Sequence, residues 1–140
     1  MYAINATKVR NEWSSISESV IREKPAFIKK TRDYMLLSDI KTIEQMLSAY
    51  TYTADMFFED DGTVTLSLHE IDLVENGANE SETLTKLARA ILEYSEDYYN
   101  DFAYWSRGNR KSHLPYVFKA IILNDAEKIG GLIQCRRGEI

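Results

Sequence analysis

Apolar residues recur at helical spacing from Lys8 to Glu23. Val9, Trp13, Ile16 and Val20 step by four, three and four, with Ile21 beside them. The spacing predicts one helix, capped by Thr7 and ended by Pro25, since the residue before proline avoids the helical region. Tyr2-Ala3-Ile4-Asn5-Ala6 alternates weakly ahead of it and predicts a short strand. Ala26-Phe27-Ile28 and Tyr34-Met35-Leu36-Leu37 flank Lys29-Lys30-Thr31-Arg32-Asp33, which predicts a hairpin with a basic tip. Ser38 or Asp39 caps a second helix, whose apolar face is Ile40, Ile43, Met46, Leu47 and Tyr50. Strand, helix, strand, strand and helix thus fit into residues 1–50. So short a stretch holds too little core to stand alone, and pairing with a second copy is expected.

The pattern changes after Tyr50. Residues 51–58 form a β run that reaches Asp61-Gly62. Val64, Leu66 and Leu68 then alternate with Thr63, Thr65 and Ser67, so a second hairpin is predicted. Ile71, Leu73 and Val74 extend that strand or start a third, and Asn76-Gly77 reads as a turn. Asn79 with Glu82, or Ser81 alone, caps a long helix carrying Leu84, Leu87, Ala88, Ile91, Leu92, Tyr98, Tyr99 and Phe102. Residues 107–113 form a polar, basic loop. A helix is predicted over Leu114–Leu123, with Pro115 near its start. A last short helix follows, capped by Asn124 or Asp125 and broken at Gly130-Gly131. Residues 136–140 are expected to fray. The predicted class is α+β: a βαββα lobe over 1–50, then a β-hairpin and a helical lobe over 51–140.

Composition adds boundaries. The 140 residues are 44% hydrophobic, with six glycines and two prolines, which excludes a disordered chain. The longest apolar runs have four residues, as at Ala120-Ile121-Ile122-Leu123, so no membrane span is expected. No basic-then-apolar leader opens the chain, and no signal peptide is expected. The one cysteine, Cys135, can form no internal disulfide, and a reducing cytoplasm is the expected setting.

Charge is informative by position. The net charge of −5 speaks against a nucleic-acid binder when the chain is taken whole. Residues 1–50 hold eight basic and six acidic residues, net +2. The rest hold nine and sixteen, net −7. Such asymmetry points to two different partners. In the second part, Glu93, Glu96, Asp97 and Asp101 gather toward the end of the long helix, where negative charge opposes the helix dipole. A basic partner would favour them there.

Catalysis has few candidates. His113 with Arg107, Arg110 and Lys111, or His69 with Glu70, could supply acid–base chemistry and hold phosphate. Lone histidines are more often structural, and His113 stands just before a helix start. Asp60-Asp61-Gly62 lacks the spaced ligands of a calcium loop. No phosphate-cradling glycine loop, metal-ligand spacing or serine elbow occurs. No enzyme, metal or cofactor is expected. Asn5-Ala6-Thr7 and Asn79-Glu80-Ser81 match glycosylation acceptors, but helix capping accounts for them.

The segment INATKVRNEWSSISESVIREKPAFIKKTRDYMLLSDIKTIEQML resembles the Phd/YefM antitoxin family over residues 2–50. It shares a short strand, a Thr-capped helix with an early Arg, a proline-led strand ending in basic residues, and a second strand leading into a helix. It departs from the family at the hairpin, which lacks the usual Gly and Pro. The resemblance implies a homodimer that binds operator DNA and represses transcription. It places the DNA contacts at Arg10 and Lys30, with Lys8, Lys29 and Arg32 as neighbours. Physical chemistry agrees: amides at a helix start favour phosphate, Arg reads guanine, and exposed lysines hold the backbone. The resemblance also implies a cognate basic toxin, a RelE-like ribonuclease, neutralised by direct binding. Residues 61–98 are more weakly similar to HicB-type antitoxins. The expected function is therefore the antitoxin of a type II toxin–antitoxin system. The alternatives are a stand-alone transcriptional regulator whose second lobe senses a ligand or assembles, and a small nuclease centred on Arg107, Arg110 and His113.

Overall fold

The computed structural model describes residues 1–138 and divides into two compact units, Met1–Met46 and Leu47–Ile140. Glu139 and Ile140, the end of the segment expected to fray, lie outside the described residues.

The first unit contains β1 (Ile4–Asn5), α1 (Ala6–Asn11), α2 (Trp13–Arg22), β2 (Ala26–Lys30), β3 (Asp33–Leu37) and α3 (Ile40–Met46). Its sheet has the order β1-β2-β3, with β1 parallel and β3 antiparallel to β2. Val9, Ile16 and Val20 from the helices meet Ala26 and Ile28 from β2 in a small core. The expected single helix is in fact two. The cap is Asn5, not Thr7: its Oδ1 accepts from the Thr7 amide at 2.8 Å, so the helix starts earlier than predicted. The helix then bends at Glu12 (φ −121°, ψ 34°). The bonds from the Glu12 amide to Lys8 O and from the Ile16 amide to Glu12 O survive the bend. Trp13, expected on the apolar face, is exposed. The hairpin closes over Thr31-Arg32 without glycine, because Thr31 itself takes the left-handed conformation (φ 58°). Asp39 Oδ1 accepts from the Thr42 amide at 3.1 Å and caps α3. No residue of α3 is buried, although an apolar face was expected there.

The second unit contains β4 (Tyr52–Phe58), β5 (Val64–Leu68), β6 (Val74–Gly77), α4 (Glu80–Asn100), α5 (Phe102–Trp105), a 3-10 helix (Gly108–His113), α6 (Leu114–Leu123), α7 (Ala126–Leu132) and β7 (Ile133–Arg137). The sheet order is β6-β5-β4-β7. Tyr52, Ala54, Leu66 and Leu68 alternate inward from β4 and β5. They pack with Leu87, Ala88 and Ile91 of α4, Ala120 of α6 and Ile129 of α7. Asn79 Oδ1 accepts from the Glu82 amide at 2.8 Å, and Glu82 reaches back to the Ala78 amide.

Three expectations for this unit are corrected. Asn76-Gly77 is the end of β6, not a turn. Gly77 pairs with Val64, and a Cβ on it would stand 2.7 Å from Thr83 Oγ1. Glycine is there because the start of α4 crosses close to the strand. Gly130-Gly131 does not break α7, where Asp125 caps the first turn and the helix runs to Leu132. Arg136 and Arg137, expected to fray, belong to a strand, Ile133–Arg137. β7 lies parallel to β4, with Tyr52 opposite Ile133 and Met56 opposite Arg137. The unit is therefore a four-stranded sheet with helices, not a hairpin with helices.

Candidate nucleic-acid interface

The parallel pairing of β1 and β2 decides where the cations of the first unit lie. Ile4 stands opposite Ile28 and Asn5 opposite Lys29. The chain leaves β1 at that level and turns straight into α1. The helix carrying Lys8 and Arg10 therefore begins beside the end of β2 that carries Lys29 and Lys30. The hairpin then adds Arg32. All five residues are exposed, and none makes an ion pair among the described residues. Lys29 Nζ lies 5.6 Å from the centre of the ring of Tyr34, its cross-strand partner on β3. Asp33, opposite Lys30 in the hairpin, is the acidic residue of the tip. Positive charge thus gathers at one end of the sheet, while Glu18 and Arg22 pair with each other on α2.

The local geometry differs from expectation in one respect. Arg10 was placed in the first turn of a helix; it lies in the last turn of the six-residue α1, as does Lys8. The amide of Thr7 is already used by Asn5. That amide of the helix start is therefore not free for a ligand.

The hairpin also carries apolar surface. Phe27 pairs with Leu36 and Lys29 with Tyr34 on the sheet face opposite Ala26 and Ile28. Phe27 and Leu36 are each 45% exposed, and Tyr34 and Met35 are comparably open.

The second unit offers contrasting chemistry. Glu93, Glu96, Asp97 and Asp101 are exposed, and no basic residue occupies the last turn of α4. Glu93, Asp97 and Asp101 follow at four-residue steps, so like charges face each other along one stripe.

Both histidines sit in structural networks. His113 is buried, with Tyr94 Oη 2.6 Å from its Nδ1 and Asp72 Oδ2 3.7 Å from its Nε2. Burial pushes the imidazole below its ordinary pKa, against the attraction of Asp72, and lifts the Tyr94 phenol to about 12. His69 Nε2 lies 2.8 Å from Asp55 Oδ2, and Arg136 Nε donates to Asp55 Oδ1 at 2.7 Å. Those two partners, Arg136 first, hold the Asp55 carboxyl below the usual carboxylate range. Glu70 accepts from the Thr53 amide at 2.7 Å and from the Thr53 hydroxyl. These networks stitch β4, β5 and β7 together. Sequence reasoning grouped His113 with the nearby arginines and missed Tyr94 and Asp72, which no local spacing announces. Half-buried Cys135 has its thiol pushed up by burial. Among the described residues no group of three or more His, Cys, Asp or Glu is placed to hold a metal ion. No helix of the described residues is long and apolar enough to cross a membrane.

Comparison with known proteins agrees with the antitoxin expectation at the level of family. The PHD_like family model, described as antitoxin of toxin-antitoxin, RelE / RelB, TA system, matches residues 1–135. A crystal structure from Syntrophomonas wolfei subsp. wolfei, the antitoxin part of a proposed toxin/antitoxin system, superposes with a TM-score of 0.92. It is 34% identical, and the match covers 99% of this chain and 100% of that one. No curated protein gives a significant match. With a family model spanning nearly the whole chain and a full-length structural match alongside it, the chain belongs to this family of antitoxins of RelE/RelB toxin–antitoxin systems.

Proposed function

We propose that this antitoxin binds operator DNA as a homodimer through its first unit and neutralises a basic, RelE-like ribonuclease toxin through its second. The observation that carries the DNA half is the parallel β1–β2 pairing, which gathers Lys8, Arg10, Lys29, Lys30 and Arg32 at one end of the sheet. Arg10 reads a base edge, preferably guanine, while the lysines and Arg32 hold phosphates. In this proposal residues 2–50 act as a Phd/YefM-like lobe. The exposed Phe27, Tyr34 and Leu36 favour a second copy as the lid for the open sheet face. Toxin binding is supported by the charge of the second part and by the acidic stripe on α4, which has no ion-pair partner among the described residues. A cationic partner would relieve that repulsion and be steered toward it.

Fluorescence anisotropy with the DNA upstream of the gene tests the DNA half. Affinity should fall steeply as salt rises, because each Lys or Arg contact releases counterions. Salt-independent binding, or none, would refute it. Co-expression with a neighbouring small basic protein tests the toxin half. Stoichiometric co-purification is expected, and its reversal by changing Glu93, Asp97 and Asp101 to Lys would locate the contact on α4.

A further inference from the structure

An open cleft in the second unit lies between residues 71–73 and the 3-10 helix. It is lined by Asp72, Leu73, Tyr94, Arg107, Arg110 and His113, among others. It has no part in DNA or toxin binding as proposed above. Its chemistry contrasts with the acidic unit around it. Of the nine basic residues after Tyr50, three stand within the five positions Arg107–Lys111. The Arg107 side chain is exposed and has no hydrogen-bond or ion-pair partner among the described residues. Arg110 is pre-set: its guanidinium carbon lies 4.9 Å from the Tyr104 ring centre and 4.6 Å from that of Trp105. Its Nη2 donates to Tyr104 O at 3.4 Å. Asp72 stands at the rim with its side chain 86% exposed. Its backbone is left-handed (φ 54°), a conformation that aspartate adopts more readily than most residues. Beneath them Leu73 and Tyr94 supply an apolar, aromatic surface.

We propose that this cleft binds a nucleoside monophosphate and prefers guanine over adenine. Two guanidiniums suit a phosphate, which their planar forks engage through paired N–H groups. The flat base lies against Tyr94 and Leu73, leaving the Arg107 and Arg110 forks to the phosphate. The Asp72 carboxylate then selects the base. Guanine presents two adjacent N–H donors on its Watson–Crick edge, and a carboxylate accepts both. Adenine presents an acceptor beside its amino group, and that acceptor meets the carboxylate unfavourably. Asp72 also disfavours a bare anion, so phosphate without a base binds weakly. His113 is engaged by Tyr94 and takes no direct part.

Isothermal titration of the full chain with GMP, AMP and inorganic phosphate at low salt tests this. Saturable one-to-one binding of GMP is expected, with AMP and phosphate weaker by about tenfold or more. Arg107→Ala, which removes an exposed and unpartnered side chain, should lower GMP affinity by about tenfold. Asp72→Asn should erase the preference for GMP over AMP. Unchanged melting temperatures for both variants would show that the fold is intact. The proposal fails if GMP shows no saturable binding at millimolar concentration. It also fails if phosphate binds as tightly as GMP, if Arg107→Ala leaves GMP affinity unchanged, or if Asp72→Asn keeps the preference.

Discussion

The two units solve the problem of burying apolar surface differently. In the second, Tyr52, Ala54, Leu66, Leu87, Ile91, Tyr98, Val117, Ala120 and Ile129 are wholly excluded from solvent. A four-stranded sheet with α4, α6 and α7 is large enough to enclose them. In the first, every core residue keeps some contact with water, and Phe27, Tyr34, Met35 and Leu36 lie open on the hairpin. Surface-to-volume scaling makes a unit of 46 residues hard to close by itself. The closed unit reads as self-sufficient, the open one as half of something. The open unit is also the basic one, so completing it with a second copy would duplicate the cations proposed to contact DNA.

Truncations should separate the two units most strongly. Leu87→Ala, at a fully buried site on α4, should destabilise the second unit by about 2–5 kcal/mol. Val20→Ala in the first unit should cost less, because its surroundings are already partly wet. Urea unfolding followed by circular dichroism measures both, and the reverse order would undo the contrast. Next come the cations. Arg10→Ala should weaken operator binding by about 1–3 kcal/mol, whereas Lys30→Ala should mainly reduce the salt slope by about one. Equal and small effects would remove base reading from Arg10. Asn79→Ala should cost about 1 kcal/mol through the lost cap of α4, with no effect on DNA affinity. The mildest effect concerns pH. Burial lowers the His113 pKa below 6.5, so the unfolded chain takes the proton first. The second unit should hold full stability above pH 6.5 and lose it gradually as pH falls toward the folded-state value. His113→Gln should flatten that slope, and an unaltered slope would assign it to other groups.

Much of this was legible because local signals were strong. Pro25, Asp61-Gly62 and the Asn79–Glu82 capping pair each act within a few residues, and helices and hairpins formed where they pointed. What escaped was set at long range. Ile133–Arg137 has little strand character of its own and becomes β7 only by pairing with β4. Gly77 looks like a turn residue until the close approach of Thr83 is seen. The kink at Glu12 interrupts a smooth apolar periodicity, and nothing in the structure explains why it falls there. At the candidate interface, the residue types were readable from the sequence. Their convergence depends on the β1–β2 register, which no motif encodes. The partners of His113 and the Asp55–His69–Arg136 network were hidden for the same reason.

Sedimentation velocity of the full chain, alongside Phe27→Asp, tests the contrast between the units most directly. The account predicts a concentration-dependent dimer that Phe27→Asp converts to a folded monomer, with operator affinity falling alongside. A wild-type chain that stays monomeric at high concentration, or a Phe27→Asp variant that dimerises unchanged, would contradict it.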